Sequence, residues 1–151
     1  MDAIDRKLLG LLAEDATAPY RDLGTKLGLS APSVFERVKK LKAQGIIKQT
    51  TIALDGEAIG RPLLAFVHVN TDGWGKTPEL MALQDDPRVE EIHAVAGDTC
   101  MILKVRCEST RALEDLLKRI YDVPGIKGTR SYIALNTYLE RNARTELVDG
   151  Q

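Results

Sequence analysis

The sequence predicts an α+β protein in two parts: three short helices first, then a small antiparallel sheet carrying two helices. Two observations predict it. Before residue 45 the apolar residues recur at helical spacing. From Leu63 onward the period shortens to that of strands, and the elements run in the order β-α-β twice. The 151 residues suffice for one medium domain or two small ones.

The first helix carries Ile4, Leu8, Leu11 and Leu12, with Asp2 as its N-cap. The second is short, Tyr20 to Leu27, with Leu23 and Leu27 one turn apart. Gly28-Leu29-Ser30 interrupts it. Gly28 suits a left-handed helix end, and Ser30 caps the next helix. That third helix spans about Ala31 to Gln44, with Pro32 in its first turn, where a missing N–H costs little. Val34, Val38 and Leu41 form its apolar seam, and Ser33, Glu36, Arg37 and Lys40 a neighbouring polar stripe. Gly45 stops it, and Ile46 to Leu54 reads as a strand or wing.

Helix, short helix, glycine turn and capped basic helix is the helix-turn-helix arrangement, whose last helix enters a major groove with its first residues at base edges. Ser30, Ala31, Pro32, Ser33, Glu36, Arg37 and Lys40 are therefore the candidate DNA contacts. Net charge is only −1, but Ser30 to Lys48 holds five basic residues against one acid, Glu36. A local patch of that sign attracts a phosphate backbone. A solvated charged face would share this composition, and the turn placed directly before the seam favours DNA.

In the second part, Leu63 to Val69 reads as a strand and Thr77-Pro78 opens a helix that closes before Pro87. Val89 to Val95 and Thr99 to Cys107 are strands around a turn at Gly97-Asp98. Ser109-Thr110 caps a helix bearing Leu113, Leu116, Leu117 and Ile120, and Thr129 to Leu139 is the last strand. This is a ferredoxin-like βαββαβ domain, a four-stranded sheet with both helices on one face. The other face needs a second copy to cover it, so the chain is expected to be at least a dimer. Arg61-Pro62 sets the boundary, giving a winged helix-turn-helix with a hinge strand over 1–60 and the sheet domain over 61–151.

Catalytic patterns are missing from the sequence. His68 and His93 lie in strand patterns without metal-ligand spacing, and no glycine-rich phosphate loop joins a strand to a helix. No metal, cofactor or enzymatic activity is expected. Cys100 and Cys107 share one expected strand at an odd interval and so point to opposite faces. Free thiols and an acidic N-terminus without a leader pattern suggest the cytoplasm. Trp74 is either an interface anchor or a loop residue.

Together these residues resemble the Lrp/AsnC ("feast/famine") family of bacterial and archaeal regulators over about Ile4 to Tyr138. The resemblance rests on Ile4-Asp5-Arg6-Lys7-Leu8-Leu9; on Gly28-Leu29-Ser30 with Val34, Arg37-Val38 and Leu41; and on Gly45-Ile46-Ile47 and Leu54-Asp55. Val95-Ala96-Gly97-Asp98, Leu103-Lys104-Val105 and Leu135-Asn136-Thr137 complete it. It implies a DNA-binding transcriptional regulator, dimers formed by paired sheets and often assembled into tetramers or octamers, and an amino-acid effector bound between dimers near Gly97 to Met101. Cys100-Met101 stands where the family commonly has Asp-Tyr, and Gln49-Thr50 where it has Gly-aromatic.

At that turn Gly97 lets the chain approach a ligand, and Asp98 either accepts from an ammonium group or merely serves the turn. Thr99 and Ser131 supply hydroxyls, and Met101, beside Cys100, lines a side-chain pocket. Two other functions share some of these features: a nucleoid-type architectural protein without effector, and a ferredoxin-like enzyme with a helical accessory domain.

Overall fold

A computed structural model describes residues 1–145. The described chain divides into two compact units, Met1–Ile52 with residues 139–145, and Ala53–Tyr138.

The first unit holds α1 (Ala3–Glu14), α2 (Tyr20–Leu27) and α3 (Ala31–Ala43). Asp2 and Asp5 form a reciprocal capping box: the Asp5 N–H donates to Asp2 at 2.7 Å and the Asp2 N–H to Asp5 at 3.0 Å. Gly28 ends α2 at φ 69°, a left-handed conformation natural to glycine. Ser30 caps α3 by accepting from the Ser33 N–H. One buried cluster joins the three helices: Leu8, Leu23, Val34, Val38 and Leu41.

The expected wing is not a strand. Ile46 to Leu54 forms no ladder among the described residues, and Ile46, Ile52 and Leu54 are exposed. Its β-branched residues favour an extended chain, but a strand without a partner leaves its backbone groups unpaired and gains nothing. The hinge strand is likewise absent: 56–60 is a turn. Ala53 to Pro62, most of it expected with the helices, clusters with the sheet. A Cβ on Gly56 would stand 2.8 Å from both the Arg61 carbonyl oxygen and Arg106 Nη1, so only glycine lets this turn seat there.

The second unit runs β1 (Leu63–Thr71), α4 (Pro78–Met81) with a 3-10 turn (Ala82–Asp85), β2 (Val89–Ala94), β3 (Met101–Cys107), α5 (Thr110–Tyr121) and β4 (Ile126–Ile133). The sheet is antiparallel in the order β2-β3-β1-β4. Ala65, Val67 and Val69 of β1 and Met101, Leu103, Val105 and Cys107 of β3 point to one face. There they form a core with Leu80, Leu83, Leu113, Leu116 and Ile120. Both helical segments therefore cover the same side, as expected.

All four strands differ from expectation at an end: β1 runs on to Thr71, β2 stops at Ala94, and β4 and β3 also shift. β4 runs Ile126–Ile133 rather than Thr129 to Leu139. Its partner sets that limit: β1 starts just after Pro62, the last bond is from the Ala134 N–H to the Leu64 carbonyl, and the apolar residues beyond have nothing to pair with. β3 begins at Met101, so Cys100 belongs to the turn and not to the strand of Cys107.

Candidate DNA interface and effector site

The seam residues Val34, Val38 and Leu41 are buried, which turns the opposite arc of α3 to solvent. That arc carries Pro32, Glu36, Lys39 and Lys40, all exposed, flanked by Phe35, Lys42 and Ala43. No ion pair engages Lys39, Lys40 or Lys42 among the described residues. Such an arc offers ammonium groups to phosphates, one carboxylate acceptor and one aromatic surface.

The seven expected DNA contacts do not all share it. Pro32, Glu36 and Lys40 do, and Ser30 is exposed at the cap, its hydroxyl occupied by the Ser33 N–H. Ala31 and Ser33 are half-buried at the margin. Arg37 is turned away: one Nη sits 2.8 Å from Asp2 Oδ2 and 2.8 Å from Asp5 Oδ1, fastening α3 to the start of α1. This guanidinium holds the Asp2 carboxyl down at about 2, helped by the Asp5 N–H, and the carboxylates raise the Arg37 pKa in turn. Stripe assignment alone placed Arg37 on the reading face because it ignored the acids across the helix junction. Conversely, Lys39 lies on this arc and Phe35 at its flank, and neither is among the seven expected contacts; the arc opposite the seam identifies Lys39.

The expected effector residues diverge. Gly97 is exposed, and a Cβ there would meet nothing within 4 Å. The Asp98 side chain is 82% exposed and lies 3.2 Å from Arg130, whose hydrogen bond and charge lower its pKa. Thr99 is buried, its hydroxyl donating to the Val69 carbonyl at 3.2 Å, which commits it to the fold. Cys100 is half-buried, its thiol pKa lowered by hydrogen bonding to Thr71. Ser131 lies opposite Val67 in the ladder, whereas Arg130 lies opposite His68. Adjacent residues of a strand point to opposite faces, so Ser131 and the Asp98–Arg130 pair are on different sides of the sheet.

Met101 is also buried, and with Met81, Ile92, Ala94, Lys76 and Gln84 it lines a cavity of about 470 Å³ beside β2. Trp74, in the nearby loop, is 80% exposed. His93 is 3.0 Å from Glu91, His68 packs its ring 4.8 Å from that of Tyr132, and no His/Cys/Asp/Glu group among the described residues has metal-binding geometry. No helix among them is long and apolar enough to cross a membrane.

Residues 1–42 match the family model of the AsnC-type helix-turn-helix domain, and residues 64–144 that of the Lrp/AsnC ligand binding domain. The HTH-type transcriptional regulator FL11 of Pyrococcus horikoshii is 35% identical over 141 residues, 93% of each chain. The HTH-type transcriptional regulator LrpA of Mycobacterium tuberculosis is 38% identical over 139 residues, 91% of this chain and 92% of that one. A feast or famine regulatory protein of M. tuberculosis, solved in complex with L-methionine, superposes with a TM-score of 0.85 at 37% identity. That match covers 92% of this chain and 95% of the other.

Proposed function

The chain belongs to the Lrp/AsnC family of transcriptional regulators, and from that premise we propose that it binds duplex DNA through α3 and adjusts that binding to an amino acid held by its sheet domain. The observation that carries the DNA reading is the exposed arc of α3, with a capped N-terminal turn and three lysines outside any ion pair among the described residues. Lys39 and Lys40 meet phosphates, and Glu36 accepts from a base edge, for which cytosine N4 is the fitting donor. Arg37 acts as a structural clamp. The protein acts by binding rather than catalysis, in the cytoplasm where its DNA lies.

The amino-acid reading is supported by the relative that holds L-methionine. In this chain Asp98 is the carboxylate offered to an ammonium group, which would displace Arg130; the Met101 cavity lies on the helix side of the sheet, apart from that pair. The open face of the sheet joins a second copy, as the family resemblance implies. An effector bound between such dimers biases assembly, and assembly biases effector affinity by the same factor.

The test is to select duplexes from a random pool, then titrate the best against random duplex at one salt concentration, with and without each amino acid. A regulator prefers its selected duplex by roughly a thousandfold or more, and one amino acid shifts that ratio. A ratio near one would leave a packaging protein in its place.

A further inference from the structure

The arc of α3 presents one side chain that phosphate binding does not use. Phe35, in the second turn, is 50% exposed among Pro32, Glu36 and Lys39. It is not loose: the Tyr20 ring, first residue of α2, stands 6.2 Å from it, tilted by 56°. The pair bridges the N-terminal ends of α2 and α3, the region a helix-turn-helix turns toward DNA. Arg37 cannot read guanine without abandoning both Asp2 and Asp5. Ser33 is half-buried, and Pro32 has no polar side-chain atom. That leaves Pro32, Phe35 and Glu36 as the outward groups of the first two turns, and of the two apolar ones Phe35 has the longer reach.

A base pair shows one apolar group in the major groove, the 5-methyl of thymine. We propose that Phe35, backed by Tyr20, is a specificity-determining residue that packs against a thymine methyl in the recognised DNA. The proposal rests on the DNA-binding reading above. Tyr20 supplies rigidity, since a ring already braced on one side loses little freedom when the other side docks.

The experiment begins with the duplex selected by the full-length protein. Each thymine is replaced in turn by deoxyuridine, which removes the methyl alone. One position per half-site is expected to lose about fivefold in affinity or more. In Phe35→Ala and in Phe35→Gln that penalty disappears while penalties at other positions persist, because the contact is pairwise. A readout independent of any variant is photocrosslinking with 5-iododeoxyuridine at the same position, where the crosslinked peptide is expected to carry Phe35. If no thymine methyl matters, or if the crosslink falls outside α3, the proposal is overturned while DNA binding stands. If the protein enriches no duplex at all, the DNA-binding reading itself fails, and this inference with it.

Discussion

Asp86 sits between the 3-10 turn and β2, 2% exposed. Arg88 Nε and Nη2 bind its two oxygens at 2.9 and 2.7 Å, the Arg88 backbone N–H donates at 2.9 Å, and Arg119 of α5 adds a fourth bond at 2.8 Å. The hydrogen bonds from Arg88 hold its carboxyl well below the usual carboxylate range against the opposing effect of burial, with Arg119 adding to them. A carboxylate depressed in the folded state stabilises above its unfolded pKa and loses that stabilisation as pH falls toward its folded one. The contribution is therefore complete at neutral pH and erodes below about pH 4. Asp86→Asn is expected to lower the unfolding free energy at pH 7 by about 3 kcal/mol, since it removes the buried charge and one of the two acceptor oxygens that Arg88 and Arg119 share. Urea titrations at pH 7 and pH 3 check this, and the variant should lose less than the parent between the two. Sequence reading did not single out Asp86, because nothing in Asp-Pro-Arg says that an arginine 33 residues later arrives on the same carboxylate.

At the scale of elements, the turn between α2 and α3 depends on a glycine inside a helix. Gly24 faces the chain after the turn: a Cβ there would collide with the Leu29 carbonyl oxygen, and the Leu29 N–H donates to the Gly24 carbonyl at 2.8 Å. Helix propensity alone favours alanine over glycine by about 1 kcal/mol. At Gly24 the collision is with backbone and wins, so Gly24→Ala should destabilise the helical unit by about 1–3 kcal/mol. At Gly10 of α1 the nearest contact for a Cβ is Thr145 Oγ1 at 4.0 Å, so propensity wins and Gly10→Ala should stabilise by up to about 1 kcal/mol. Thermal melting of both variants tests the opposite signs, and a stabilised Gly24→Ala would refute this account of the turn. The caps at Asp2, Ser30 and Ser109 were legible because capping is local: the donor lies three residues from the acceptor. The end of β4 was not, because the partner strand sets it.

At the scale of the whole molecule, the sheet face opposite the helices carries Phe66, His68, Ile102 and Tyr132, with Tyr132 52% exposed. Lys104 and Arg106 on β3 are already paired there with Glu90 or Glu91 of β2. Such a face, apolar with its charges internally neutralised, suits a twofold partner. Sedimentation of a fragment from Ala53 to the C-terminus at micromolar concentration should show a dimer or larger, and Phe66→Glu should shift it toward monomer by placing a charge in the contact. A parent fragment that stays monomeric would contradict the proposed assembly.

What the sequence determined by itself is what short-range chemistry decides. Helix starts come from caps, helix ends from Gly28 and Gly45, and the buried face of each element from the spacing of its apolar residues. That was enough for the α+β architecture, the helix-turn-helix and the family. Tertiary structure alone decided which polar side chains stay available to a ligand. Arg37 was spent on Asp2 and Asp5 and Thr99 on Val69, while Ile46 to Leu54 gained no strand for want of a partner. The reason is physical: a charged or hydrogen-bonding group takes the best partner within reach, and reach is set by the packing of segments distant in sequence.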